Sequence, residues 1–223
     1  IITHLAHVIP PEVEVRLYTD RAFPESFVPL IPPHWKQVIL SWPPRFLWTQ
    51  VRLSFEMLRH RPDILFTPGH VEPLIQPRAT VMMVHDVAAW RIPRAYSLFD
   101  RWYTLSLTMK ACEKNPVILT PSFFTKQELE KLLLERKVAR KAEMLVIPHG
   151  HVSREKVSDA TPLLARYGID ENTRYIICVG RIEYKKNIDT ILAAFEKLKA
   201  TSPEHTTLKL VLAGKPGVGY ADI

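Results

Sequence analysis

Arg181, Lys185 and Lys186 follow the run Tyr175-Ile176-Ile177-Cys178-Val179-Gly180, which reads as a short buried strand closing at a glycine. Ile188, Ile191, Leu192, Phe195 and Leu198 then recur on one face of a helix. Asn187 stands where the N-cap of that helix belongs, and Asp189 suits its positive end. The chain returns as the apolar stretch from Leu208 to Leu212, which completes a strand–helix–strand unit. In such units ligands collect outside the carboxyl ends of the strands. Fixed cations beside free helix N–H groups hold a diphosphate without a metal, so this segment points to a phosphate-bearing substrate. A second candidate is His85, which follows Val81-Met82-Met83-Val84 and should emerge at the carboxyl edge of another strand, with Asp86 next to it. A strand-end histidine of this kind is either structural or an active-site group.

The elements that must carry these residues alternate. Strands are expected at Val13–Tyr18, Ile64–Phe66, Val81–Val84, Val117–Leu119 and Met144–Ile147, with helices around Arg45–Arg59, Ser97–Glu113 and Thr125–Arg136. Thr125-Lys126-Gln127-Glu128 has the capping-box pattern that marks a helix start. Short strands separated by helices predict an α/β fold, a parallel sheet with helices on both faces. Ile147-Pro148-His149-Gly150 closes that sheet, and the polar stretch Ser153–Thr161 reads as a linker before a short helix from Pro162 to Tyr167. The division is therefore a first domain over 1–150, a linker over 151–161 and a second domain over 162–223. Gly69 is the sole glycine before Gly150, whereas a doubly wound domain opens on a strand and a glycine-rich turn. The expectation is that the first strand is missing and that the second domain is cut short, because two parallel strands and one helix cannot bury both sheet faces.

The 223 residues are 47% hydrophobic, ample for a packed core, and no apolar stretch is long enough to span a bilayer. The opening residues lack a secretory signal pattern. Two cysteines, Cys112 and Cys178, read as free thiols in a reducing cytoplasm. The net charge of +7 is concentrated early, with 19 basic and 14 acidic side chains in residues 1–150. That excess suits anionic lipid, phosphorylated small molecules or nucleic acid, or is a solvated surface without a partner.

Several signals lead elsewhere or nowhere. His4/His7 and His149/His151 lack the partnering cysteines or carboxylates of a metal site, so no metal is expected. Gly214-Lys215-Pro216-Gly217-Val218-Gly219 is glycine-rich after a strand but fits neither a Walker A loop nor a dinucleotide fingerprint. No nucleic-acid motif interleaves basic and aromatic residues. In the helix near 45–59, Leu47, Val51, Phe55 and Leu58 form an apolar face opposite Arg45, Arg52 and Arg59. That pattern reads as a core-packing surface helix or, with Trp42 and Trp48, as a helix lying on anionic lipid.

Taken in order, five segments resemble the family 4 glycosyltransferases, retaining enzymes of the GT-B architecture. They are Val84-His85-Asp86; Thr120-Pro121-Ser122-Phe123-Phe124-Thr125; Val146-Ile147-Pro148-His149-Gly150; Val179-Gly180-Arg181 through Asn187 with its helix; and Leu210-Val211-Leu212-Ala213-Gly214-Lys215-Pro216-Gly217. The resemblance implies two Rossmann-like parallel-sheet domains, the first nearly complete and acceptor-side, the second truncated and nucleotide-sugar-binding. It implies a nucleoside diphosphate sugar as donor, a polysaccharide or lipid-linked glycan as acceptor, and no cofactor. By the same resemblance Arg181 and Lys186 grip the donor diphosphate. His85 faces the donor sugar, and Asp86 orders the loop behind it or orients the imidazole. The family's glycine-rich first turn and its later acidic motif have no counterpart here, which fits a partial chain. A cytoplasmic enzyme, peripheral on the inner membrane face, follows as the expectation. Its alternatives are a GT-B sugar phosphorylase, a nucleotide-sugar epimerase and a non-catalytic scaffold of the same fold.

Overall fold

The structure, a computed structural model, describes residues 2–42, 47–151 and 159–223. Arg45 of the expected helix and most of the expected linker lie outside the described residues. The fold is α/β and Rossmann-like, with every strand pair parallel. The chain divides into two compact units: Ile1–His85 with Leu107–Val146, and Asp86–Ser106 with Ile147–Ile223.

The first unit opens on helix α1 (Ile2–Val8) and strand β1 (Arg16–Thr19), which pairs with β2 (Lys36–Ile39). Strand β2 has no counterpart in the expected elements, because Lys36-Gln37-Val38-Ile39 is neither a continuous apolar run nor a clean alternation. Strands β3 (Ile64–Thr67), β4 (Ala79–Met83), β5 (Val117–Thr120) and β6 (Glu143–Val146) form a four-stranded sheet in the order β3-β4-β5-β6. The pairing puts Thr67, Met82, Ile118 and Met144 in one row across it. Leu65, Thr80, Met82, Ile118, Thr120 and Met144 are buried on that face. The other face is less covered, and Ile64 and Phe66 stand exposed there. The expected helical cover of both faces is thus unequal, one face carrying most of the core.

Helix α2 (Ser54–Arg59) continues a π-turn (Trp48–Leu53), and its orientation is the reverse of the core-packing reading. Leu47, Val51, Phe55 and Leu58 are exposed, Phe55 at 54% and Leu58 at 66%, while Gln50, Leu53, Ser54 and Met57 face inward. The polar members of that inward face serve the neighbouring loop. Gln50 Nε2 donates to Glu72 O (2.9 Å), and Ser54 Oγ accepts from Leu74 N (2.9 Å). A buried backbone needs such partners, and here that need outweighs the hydrophobicity of the opposite stripe. Leu53 and Met57 meet Leu40 and Leu65 in a small core, with Tyr18, Val38 and Trp48 packed around it.

Helix α3 (Ala88–Arg91) leads to α4 (Leu98–Lys114), and α5 (Phe123–Glu135) packs on β5 and β6. The cap of α5 is Ser122, three residues before the helix start expected from the sequence: in extended backbone its Oγ accepts from Thr125 N (3.1 Å). Thr125 lies inside the helix, and its hydroxyl donates to His85 O (3.3 Å). Glu128, the expected capping-box acid, instead accepts from Lys131 Nζ (2.9 Å) and is buried.

In the second unit α6 (Thr161–Ala165) precedes β7 (Tyr175–Val179), α7 (Ile188–Thr201) and β8 (Lys209–Ala213). Strands β7 and β8 pair in register from Tyr175–Lys209 to Val179–Ala213. Helix α7 turns its expected apolar face inward, with Ile188 buried and Ile191, Leu192, Phe195 and Leu198 half-buried. Strand β7 forms as expected but is not a buried strand, Val179 being 78% exposed. One helix covers one face of a two-stranded sheet and leaves the other open.

Candidate functional site

The cations of the second unit stand on the turn between β7 and α7. Gly180 closes β7 at φ 154°, and its N–H still pairs with Ala213 O (3.0 Å). The parallel pairing then continues past the strands. Ile182 N donates to Lys215 O (3.1 Å), Gly217 N to Ile182 O (2.9 Å), and Tyr184 N to Val218 O (3.1 Å). The glycine-rich segment from Gly214 to Gly219 is therefore the brace of the cation-bearing turn, a role its sequence pattern did not disclose. Side chains are excluded where the two loops meet: Gly219 has φ 79°, and a Cβ there would enter the Tyr184 ring.

On this braced turn Arg181 is 67% exposed, with Nη1 4.0 Å from Glu183 Oε2, and Lys186 is exposed. Both project at the carboxyl end of a parallel strand, where anionic ligands bind in such sheets. Asn187 has the left-handed conformation (φ 53°, ψ 43°) and makes no side-chain cap to the α7 backbone. Its Oδ1 accepts instead from Thr190 Oγ1 (3.0 Å). The predicted N-cap is thus corrected, because the left-handed backbone differs from the extended geometry a capping side chain needs. Asp189 is in the first turn of α7, as expected.

Lys185 has a different place from its two neighbours. Its Nζ donates to Asp86 Oδ2 (2.8 Å) and to Tyr96 OH (3.3 Å), with the side chain 30% exposed. Burial works against its charge, but the hydrogen bonds and charge of Asp86 and Tyr96 prevail and hold the ammonium above the ordinary lysine value. Asp86 Oδ1 accepts from Ala88 N (2.8 Å), which ties this carboxylate to the backbone two residues on. Arg94 stands 5.5 Å from the Tyr184 ring centroid, and Tyr184 OH donates to Asp222 Oδ2. Spacing along the chain carries no sign of these contacts, since the partners lie about ninety residues or more apart for Lys185.

In the first unit, His85 follows β4 at its carboxyl end, as expected. Its Nε2 lies 2.7 Å from Pro68 O, and a carbonyl only accepts, so Nε2 carries the proton. His70 stands beside it, ring centroids 5.6 Å apart. The structure thus brings Asp86 to the cation-bearing turn of the second unit, along with Arg181 and Lys186, and leaves His85 described within the first. A shallow concavity of about 470 Å³ lined by Thr173, Tyr175, Leu198, His205 and Leu208 lies at the amino end of β7, opposite the end that carries the cations. Among the described residues, no group of three or more His, Cys, Asp or Glu is arranged to hold a metal ion. No helix of the described residues is long and apolar enough to cross a membrane.

Comparison with known proteins bears on this same region. Residues 160–220 match the family model described as glycosyl transferases group 1. Over 77 residues the chain is 34% identical to a protein of Rhodococcus jostii (strain RHA1) named D-inositol 3-phosphate glycosyltransferase. That stretch covers 34% of this chain and 17% of the relative's length. The residues matched by the family model run from just before α6 to the turn after β8, and they include Arg181, Lys185 and Lys186.

Proposed function

We propose that the protein is a retaining glycosyltransferase that moves a sugar from a nucleoside diphosphate sugar to an acceptor hydroxyl, on a polysaccharide or a lipid-linked glycan. The observation that carries this reading is the pair Arg181 and Lys186, exposed on a turn that a second loop braces at the carboxyl end of a parallel strand. The match of that segment to glycosyl transferases group 1 supports the same chemistry. In the reaction the bond from the sugar's anomeric carbon to the diphosphate oxygen breaks. The acceptor oxygen bonds that carbon from the same face, and the acceptor's proton passes to the departing diphosphate. The leaving group gains negative charge as the bond opens, and cations already in place lower that barrier. Arg181 and Lys186 supply this stabilisation, and His85 hydrogen-bonds the transferred sugar. The chemistry asks for no metal and no cofactor. Residues 1–150 are read as the acceptor-side domain and 162–223 as part of the donor-side domain.

The location follows from the same reading: a cytoplasmic enzyme touching the inner membrane face. The exposed stripe of Val51, Phe55 and Leu58 supports that contact. Sedimentation with vesicles containing anionic lipid, compared with neutral ones, reads it directly. The test of the reaction is a screen of nucleoside diphosphate sugars with the intact gene product, followed by Arg181→Ala. Turnover should fall by about 10²- to 10³-fold with the fold unchanged. A well-folded variant that transfers sugar at the normal rate removes the assignment.

A further inference from the structure

Three consecutive side chains of the turn before α7 have three different fates. Tyr184 is held by Asp222 through its hydroxyl and by Arg94 over its ring. Lys185 is paired with Asp86 and Tyr96, and Lys186 is exposed. Asp86 is fixed at both oxygens, one by Ala88 N and the other by Lys185 Nζ. A lysine side chain carries about 2 kcal/mol of rotamer entropy, so a lysine held by two partners represents an ordered element and not an incidental surface pair. Electrostatics point the same way. Arg181, Lys185 and Lys186 lie within six residues, and pairing Lys185 with Asp86 offsets the repulsion its charge would exert on Arg181 and Lys186.

We propose that Asp86 is a positioning residue for the diphosphate-binding turn: through Lys185 it holds Tyr184–Lys186 in place, so that Arg181 and Lys186 meet the anion already oriented. The proposal rests on the diphosphate reading of Arg181 and Lys186, and it assigns Asp86 an action on the cation-bearing turn. The benefit to affinity is preorganisation, because a turn ordered before binding loses less freedom on binding. Tyr96 belongs to the same device as the second partner of Lys185.

The experiment is a double-mutant cycle read by nucleoside diphosphate affinity. The intact gene product is titrated calorimetrically with UDP, GDP and ADP, and the nucleotide that binds is carried through the variants. Asp86→Asn removes the charge but keeps an oxygen for Ala88 N; Lys185→Met removes the ammonium and keeps the stem. Each single variant should weaken binding by about 5- to 20-fold, and the double variant should be no weaker than either, since the pair acts as a unit. Lys185→Arg should restore most of the affinity, a rescue that a general loss of stability would not give. Should Asp86→Asn fail to fold, Lys185→Met with its Lys185→Arg rescue reads the same pair. Single variants within twofold of the wild type, effects that multiply in the double variant, or no rescue by arginine would each overturn the proposal while leaving the diphosphate site standing. If the wild type binds none of the three nucleotides, the diphosphate reading fails and the positioning role falls with it.

Discussion

A Cβ placed on Gly214 would stand 1.7 Å from the carbonyl oxygen of Gly180, so the two loops at the carboxyl end of β7 and β8 are in direct backbone contact. No rotamer change relieves such an overlap, because both partners are main chain. Gly214→Ala should therefore push the loops apart and destabilise the second unit by more than about 2 kcal/mol. It should also displace the turn carrying Arg181 and Lys186. Gly69→Ala is the control, since a Cβ there meets nothing within 4 Å. Chemical denaturation of the two variants reads the difference. A Gly214→Ala protein as stable as the control would show that the loops are not joined in this way.

The cap of α5 offers a test that separates two neighbouring hydroxyls. Ser122 Oγ accepts from Thr125 N, whereas Thr125 Oγ1 reaches to His85 O. Ser122→Ala should cost about 1 kcal/mol through the lost cap. Thr125→Val should keep the cap and release the carbonyl of His85, so its effect should appear in the His85 imidazole resonances. If Ser122→Ala is neutral and Thr125→Val costs the full amount, the helix begins where the sequence alone places it.

Legibility in the sequence followed the range of the interaction. The stripe of Ile188, Ile191, Leu192, Phe195 and Leu198 was readable because a helix repeats itself every few residues, and α7 buries that face. The same reasoning misread Leu47, Val51, Phe55 and Leu58. The inward face of α2 is chosen partly by the polar needs of the loop at Glu72–Ile75, and the preceding π-turn does not keep the 3.6-residue period. Arg181 and Lys186 were legible as cations after a strand, and His85 as a strand-end histidine. Lys185 was not separable from Lys186 by sequence, because its partners Asp86 and Tyr96 belong to a distant segment. The glycines of the second loop were legible only as a failed match to phosphate-binding motifs, because the loop they brace lies more than thirty residues earlier in the chain.

Glu72 is buried in the first unit, where Asn115 Nδ2 donates to Oε2 (2.7 Å) and Gln76 Nε2 to Oε1 (3.2 Å). Burial pushes its carboxyl up, and those two hydrogen bonds pull it part of the way back. A carboxyl raised in the folded state gives stability that is present below its unfolded pKa and lost as the pH rises through the folded value. Asn115→Ala removes the stronger donor, so the ionised form should become harder to keep. The variant should lose about 1–3 kcal/mol at neutral pH and measurably less at pH 4, below that raised value, where Glu72 is already protonated. Urea titrations at the two pH values read this, and an equal loss at both would mean that Asn115 contributes packing alone.

Cys112 tests the opposite end of the pH range. Its thiol is fully buried, and burial, with the charge of Glu72 next, pushes it from an ordinary 9.0 up to about 12. An unfolded chain loses the thiol proton near its ordinary value, while the folded chain keeps it. The contribution is therefore intact below pH 9 and is lost as the pH climbs toward 12, at about 1.4 kcal/mol per pH unit. Cys112→Ala cannot make that exchange. It should cost stability through the small void it leaves, yet lose less than the wild type as the solution is made alkaline. The two stability curves should converge between pH 9 and 11. Parallel curves over that range would mean that the native thiol ionises at its ordinary pH and that Cys112 is open to solvent.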